Sequence, residues 1–101
     1  MSTIIQLQDK KLPSDCLLFK HSTACPVSHR AATEVRSLDF LLPLYWINVI
    51  ESRDLSNWVE SQYGIRHESP QLLFIKDSKA VKVWNHSEIR KENLKQLLAG
   101  G

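Results

Sequence analysis

Short apolar runs alternate with amphipathic stretches along this chain, and polar connections separate them. A continuous apolar run at 16–20 predicts a strand that is covered on both faces of a sheet. Residues 4–7 fit either a short strand or a helical turn. The polar turn at 77–79 predicts a hairpin between the two runs beside it. Three later runs, rich in β-branched and aromatic residues, also predict strands: 44–50, 71–76 and 80–84.

Two amphipathic stretches between these runs predict helices. The first opens at Pro26, whose missing N–H is tolerated at the first helical position, and ends near Leu38. The second is capped by Ser52 or Asp54. It closes at Gly64, because glycine is the residue typically found just after a helix.

A third helix is predicted after Ser87, with four apolar residues turned inward: Ile89, Leu94, Leu97 and Leu98. The predicted order of elements is then β-α-β-α-β-β-α. The βαβ part implies a parallel crossover, and the hairpin adds antiparallel strands. The sequence therefore predicts an α/β fold, in which helices flank a central mixed sheet, formed as a single domain over residues 1–101.

Composition and charge exclude several classes of function. The 13 basic and 11 acidic residues are scattered and leave a net charge of +2, too weak for a nucleic-acid or anionic-membrane surface. No apolar stretch approaches the ~20 residues that span a bilayer. Residues 1–11 lack the basic and apolar regions of a secretory signal, so we expect a cytoplasmic protein. The three glycines, Gly64, Gly100 and Gly101, cannot form a P-loop or a dinucleotide fingerprint.

Cys25 carries the main functional signal. It lies between the predicted strand at 16–20 and the helix that opens at Pro26, so its sulfur is placed at a helix N-terminus. Unpaired backbone N–H groups and the helix dipole favour an anion there. A cysteine in such a place ionises below the ordinary pKa of about 8.5, and the thiolate is the form that attacks disulfides. The sequence therefore predicts thiol–disulfide chemistry by one cysteine.

The other candidate groups carry weaker signals. Cys16 lies inside an apolar strand and is predicted to be inert, since a resolving role would need its Cα within roughly 7 Å of that of Cys25. Cys25 and His29 stand four residues apart, with His21 nearby. Structural zinc needs four ligands and no second pair is present, so we expect no bound metal. Lys20 and His21 are expected to add positive charge near Cys25 and to lower its pKa.

Two segments carry a resemblance to a known superfamily. The segment 18–28 (LFKHSTACPVS) places a cysteine after the first core strand, and Ser69-Pro70 immediately precedes the hairpin. This arrangement resembles the thioredoxin superfamily, in which the proline in this place is cis and lies beside the nucleophile. With the segments Arg53–Ser56 and His67–Gln71 included, the chain is most similar to the bacilliredoxin-like proteins of the YtxJ type.

That resemblance implies a thioredoxin-like fold and a monothiol oxidoreductase that acts on mixed disulfides between client proteins and bacillithiol. Cys25 would be the nucleophile. Ser28 stands where a dithiol relative has its resolving cysteine, and a hydroxyl there can only hydrogen-bond the Cys25 thiolate, so the chemistry stops at a mixed disulfide. The implied co-substrate is bacillithiol or a similar low-molecular-weight thiol, with no bound cofactor. The implied substrate-binding residues are Thr23, Pro26, Ser69 and Pro70.

Two other functions remain open from the sequence. One is a glutathione-dependent monothiol glutaredoxin or an iron–sulfur carrier. Two features count against it: residues 84–88 contain no glycine pair, and Pro26 replaces the glycine usual in cluster carriers. The other is a binding or stress-response module of the same fold, in which the thiol catalyses no turnover.

Overall fold

The computed structural model describes residues 3–98, which form one five-stranded sheet with two flanking α-helices. The helices are α1 (Pro26–Ser37) and α2 (Arg53–Tyr63). No helix within the described residues combines the length and the apolar character needed to cross a membrane. The strands in chain order are β1 (Ile4–Gln6), β2 (Cys16–His21), β3 (Leu44–Asn48), β4 (Gln71–Lys76) and β5 (Lys79–Asn85).

The sheet is mixed, with the order β1-β3-β2-β4-β5. The strands β1 and β2 both pair with β3 in parallel, and β4 pairs with β2 and β5 in antiparallel register. The connection from β2 through α1 to β3 is the predicted parallel crossover, and β4 with β5 is the predicted hairpin. The prediction of an α/β fold with a central mixed sheet is therefore confirmed.

Alternation along β2 divides its side chains between two cores. Leu17 and Phe19 belong to the core on the α1 side of the sheet, whereas Leu18 belongs to the core on the α2 side. All six residues of the strand are buried. Lys20 and His21, which are neighbours in the sequence, therefore leave the strand on opposite faces.

The predicted C-terminal helix is wrong. The chain after β5 instead forms three separate 3-10 turns, and Ser87 lies within the first of them rather than capping a helix. Ile89 and Leu94 are both buried, as predicted. They are five places apart, however, or about 140° around an α-helix, which departs from the i, i+3, i+4 spacing of an amphipathic helix. The 3-10 turns span His86–Glu88, Lys91–Asn93 and Lys95–Leu97.

Left-handed backbone conformations end two of the elements. Gly64, with φ of 66°, follows α2 and donates its N–H to the carbonyl of Glu60 at 3.0 Å, which confirms the predicted C-cap. Ser52 occupies the N-cap position of α2, but its side chain makes no capping hydrogen bond. Asp77 and Ser78, with φ of 52° and 62°, form the two-residue turn between β4 and β5. Such a left-handed pair matches the twist of hairpin strands.

Candidate functional site

Cys25 occupies the N-cap position of α1. Its backbone is extended, with φ of −113° and ψ of 120°, and its carbonyl accepts a hydrogen bond from the N–H of His29 at 3.1 Å. Its own N–H donates to the carbonyl of Ser22 at 3.3 Å, which fixes the turn after β2. Cys25 is a free cysteine, and the residue is partly exposed. A cysteine is therefore held at the end of the helix where the first backbone N–H groups have no partner within the helix.

The segment before β4 lies at the same edge of the sheet as Cys25. Because β4 runs antiparallel to β2 and Gln71 pairs with Lys20, β4 begins where β2 ends. The Ser69–Pro70 peptide bond that precedes β4 is cis in this structure, and Pro70 is buried. The topology thus brings the cis-proline segment and the β2–α1 turn, which are far apart in sequence, to one edge.

His86 ties this segment to the end of β5, and the sequence patterns did not single it out. Its N–H donates to the carbonyl of Pro70 at 2.9 Å, and its Nε2–H donates to Oε1 of Glu68 at 2.8 Å. The hydrogen bond with His86 is the main reason that the pKa of Glu68 lies below its ordinary value. Both contacts join residues 16 to 18 positions apart, so no local pattern signals them.

Ser28 does not play the role expected from the sequence. It is fully buried, and its hydroxyl lies 2.8 Å from Nδ1 of His21. The same hydroxyl accepts a hydrogen bond from the N–H of Ser22 at 2.8 Å. None of the hydrogen bonds of Ser28 within residues 3–98 goes to Cys25, because the side chain turns inward from α1 towards β2. Ser28 therefore holds the β2–α1 turn in place.

We expect Ser28→Ala to lower the free energy of unfolding by about 1–3 kcal/mol, since Ser22 N–H and His21 lose a buried partner. The rate of alkylation of Cys25 by iodoacetamide at pH 7 should change by less than about threefold, because the Ser28 hydroxyl bonds to Ser22 and His21 rather than to the thiol. Urea unfolding and timed mass spectrometry measure the two effects. A large loss of alkylation rate at unchanged stability would restore the direct role.

His21 does not supply positive charge to Cys25. It is buried beneath α1, and its pKa lies below the ordinary value, chiefly because of burial and then because of His29 and Arg36 nearby. Its ring packs edge-on against those of His29 and Trp46, with centroids 5.2 and 5.5 Å away. The imidazole is thus neutral near pH 7, which corrects the expected tuning role.

Lys20 lies on the α2 face of the sheet, opposite to α1. Its side chain is fully buried, and Nζ donates to the carbonyl of Ser56 and to Nδ1 of His67, both at 3.2 Å. Burial lowers the pKa of Lys20 to about 8, and the nearby Glu60 carboxylate partly opposes this shift. Its hydrogen bonds go to α2 and to the 64–70 loop. Lys20 therefore does not add positive charge beside the thiol, although this was expected from the sequence.

Lys20 and His67 support the cis-proline segment from the α2 side. Because an ammonium group only donates, Nδ1 of His67 accepts, and the neutral ring carries its proton on Nε2. The backbone N–H of His67 donates to a carboxylate oxygen of Glu60 on α2. At the start of β4, Nε2 of Gln71 donates to the carbonyl of Arg66 at 2.9 Å. The loop that carries Pro70 is therefore anchored from both the sheet and α2.

Cys16 is remote from Cys25 and chemically quiet. It is fully buried at the start of β2, and burial, with a smaller effect of Asp15, raises the pKa of its thiol to about 12. His21 stands five positions further along the strand, a distance of about 16 Å at the usual rise per residue. Its sulfur lies 3.8 Å from the carbonyl of Pro13. A resolving role for Cys16 is therefore incompatible with this fold.

Two other expected residues lie at the turn before α1. Thr23 is exposed, and its carbonyl accepts a hydrogen bond from Nε2 of His29 at 2.7 Å. Pro26 is the exposed first residue of α1. The imidazole of His29 is thus held by a hydrogen bond to the turn.

Within residues 3–98, no three His, Cys, Asp or Glu side chains are grouped so that they could hold a metal ion.

The sheet order, together with Cys25 and the Ser69–Pro70 segment at one edge of the sheet, defines a thioredoxin-fold protein. A structure described as a candidate oxidoreductase with a thioredoxin fold is similar, with a TM-score of 0.80 and 26% identity over 93% of this chain and 92% of that one. Thioredoxin from Aeropyrum pernix shares the fold, with a TM-score of 0.55 and 20% identity over 82% and 73% of the two chains. Reduced desulfothioredoxin from Desulfovibrio vulgaris Hildenborough does too, with a TM-score of 0.54 and 20% identity over 96% of each.

A family match identifies the chain more closely within the thioredoxin-fold proteins. Residues 1–94 match the family described as monothiol bacilliredoxin BrxC. The chain therefore belongs to the monothiol bacilliredoxin family, and a thiol redox role follows from that membership.

Proposed function

We propose that this protein removes bacillithiol, or a similar low-molecular-weight thiol, from mixed disulfides on client proteins through Cys25. The observation that carries the proposal is a free, partly exposed cysteine at the N-cap of α1, in a chain of the monothiol bacilliredoxin family. A helix N-terminus favours the thiolate, which is the attacking species. Two free cysteines fit a reducing compartment, so we place the reaction in the cytoplasm.

The first exchange step requires no added oxidant or reductant, because one S–S bond replaces another. The Cys25 thiolate attacks the small-thiol sulfur of the client disulfide, so that a new S–S bond forms at Cys25 and the client S–S bond breaks. The client leaves as a thiolate and takes a proton from water. A second small thiol, as thiolate, then attacks the Cys25 mixed disulfide. This second step releases the small-thiol disulfide and restores Cys25.

The reaction stops at the mixed disulfide because the described residues offer no second thiol to Cys25. Cys16 is sealed at the far end of β2, and a hydroxyl stands at position 28. A small thiol or another redox protein must therefore complete the cycle. The expected partners are S-thiolated clients and that recycling thiol.

The cis-proline edge offers a docking place for an extended client segment. Within residues 3–98, the N–H and the carbonyl of Ser69 take part in no backbone hydrogen bond. Such groups pair with an added strand. Thr23, Pro26, Ser69 and Pro70 are the residues that we expect to contact substrate on either side of Cys25.

The experiment that tests this function uses reduced protein and one client cysteine capped by bacillithiol or by glutathione. Intact mass spectrometry should show transfer of bacillithiol to the protein and release of the reduced client. Preferred transfer of glutathione would instead indicate a glutaredoxin-like activity. If neither cap moves while the client binds, the protein is a non-catalytic module and the proposal fails.

A further inference from the structure

A small groove opens next to the first turn of α1. It lies between that turn and the chain that follows β5, and its volume is about 240 Å³. Pro26, Val27, Ala31 and Ile89 give it an apolar lining. Pro26, which lines the groove, directly follows Cys25 in the chain, so the groove begins one residue from the cysteine. Its volume is below the usual range of about 300–1,000 Å³, which suits part of a small molecule.

The charged residues at the rim of the groove are basic. Arg30 comes from α1 and Arg90 from the turn after β5, and both are exposed. Nε of Arg90 donates to the carbonyl of Ser87 at 2.8 Å, which holds the guanidinium beside the groove. His86 also lines it, but its Nε2–H is engaged by Glu68. No acidic residue lines the groove within the described part of the chain.

Two arginines in a lining that includes no acidic residue of the described chain make this groove locally basic, although the Glu34 carboxylate lies nearby at the N–H of Lys91. The whole chain has 13 basic and 11 acidic residues and a net charge of only +2. Guanidinium groups present paired donors that match a carboxylate, so they recognise carboxylates by geometry as well as by charge. The apolar lining suits the aliphatic carbons that separate a sulfur from a carboxylate.

We propose that this groove binds the carboxylate-bearing end of the small thiol that Cys25 receives, with Arg30 and Arg90 as the residues that determine specificity. The inference rests on the proposed function and names the class of its substrate, an anionic low-molecular-weight thiol. A neutral or cationic thiol meets the same sulfur but gains nothing from the two guanidinium groups. The groove should therefore favour an anionic small thiol over a neutral or cationic one of the same intrinsic reactivity.

The test compares three small symmetric disulfides that differ mainly in charge: dithiodipropionate, bis(2-hydroxyethyl) disulfide and cystamine. In each case the Cys25 thiolate attacks one sulfur, an S–S bond to Cys25 forms, and the other half leaves as a thiol after protonation. Initial rates of adduct formation at low salt come from intact mass spectrometry. Each rate is divided by that of a short cysteine peptide, which removes the intrinsic reactivity of each reagent.

In the native protein, the normalised rate should be highest for dithiodipropionate and lowest for cystamine. Arg30→Gln and Arg90→Gln should each lower the ratio of anionic to neutral rates about threefold, and the double variant about tenfold. The matched control is Lys79→Gln, which removes one exposed positive charge at the opposite edge of the sheet. That control should keep the native ratio.

Salt provides a second measurement that does not depend on a variant folding. Added salt should lower the anionic-to-neutral ratio of the native protein, since exposed charges are screened. An equal ratio in the native protein, the double variant and the control would overturn the groove while leaving exchange at Cys25 intact. The absence of an adduct with all three reagents would overturn the proposed function, and this inference with it.

Discussion

A Cys25→Ser variant is expected to lose disulfide exchange, with mixed-disulfide formation falling at least about a hundredfold. A serine hydroxyl stays protonated at neutral pH, and oxygen cannot form the S–S bond that the reaction requires. The variant should fold normally, because Cys25 is partly exposed and its structural contacts are made by its backbone. Intact mass spectrometry after incubation with a capped client measures the loss.

The matched control is Cys16→Ala. The buried Cys16 thiol has its pKa raised to about 12, so its removal should leave the exchange rate at the native level. We expect a loss of about 1–2 kcal/mol in the free energy of unfolding, from the small cavity that it leaves. Adducts that persist in Cys25→Ser but vanish in Cys16→Ala would identify Cys16 as the nucleophile and contradict the assignment.

Lys20→Met is expected to raise the free energy of unfolding at pH 7 by about 1–3 kcal/mol. The ammonium group of Lys20 is fully buried, and its pKa falls from the ordinary 10.5 to about 8. Methionine has a similar length and no charge to bury. The ring of His67 keeps a donor in the variant, because Oγ of Ser56 lies 3.1 Å from its Nδ1.

The pH dependence separates this effect from better packing. Between pH 8 and 10.5 the folded native protein binds fewer protons at Lys20 than the unfolded chain does, so its stability contribution rises with pH over that window. The advantage of Lys20→Met should therefore be full below pH 8 and shrink towards pH 10.5. Urea unfolding of both proteins at several pH values gives the difference curve, in which the other titrating groups cancel.

Lys79→Met provides the reference, because Lys79 is exposed at the β4–β5 turn and should show no such curve. A Lys20→Met protein that is less stable than the native one at pH 7, with no change of the difference above pH 8, would refute the prediction. A buried charge that lowers stability is often kept for a functional reason. Lys20 bonds the loop that carries Pro70, which gives the charge a place in the site.

Much of the fold could be predicted from local patterns. The apolar run of β2, the amphipathic stripe of α1 and the Gly64 cap each depend on residues close together in sequence. The predicted C-terminal helix is wrong, because a set of apolar residues predicts a helix only when their spacing is helical. The interval of five between Ile89 and Leu94 is visible in the sequence and is a poor match to the spacing of an amphipathic helix.

The site was less predictable because its contacts are long-range. Cys25 was found from the change between strand and helix patterns, but Ser28 bonds back to β2 rather than to its helix neighbour. Lys20 and His21 were both assigned to the thiol, although a period of two sends them to opposite faces. That rule was available from the sequence. The partners of His67 and His86 lie in other elements, and no local signal gives them.

His86 makes two contacts beside the site, one through its backbone and one through its side chain. The bond to Pro70 uses the backbone of His86, so it persists whatever side chain stands there, whereas the link to Glu68 needs the imidazole. The φ of 52° favours residues that tolerate left-handed backbone, chiefly glycine, asparagine, aspartate and histidine itself. A small library at this one position would thus alter the chemistry beside the reactive edge while keeping the loop seated.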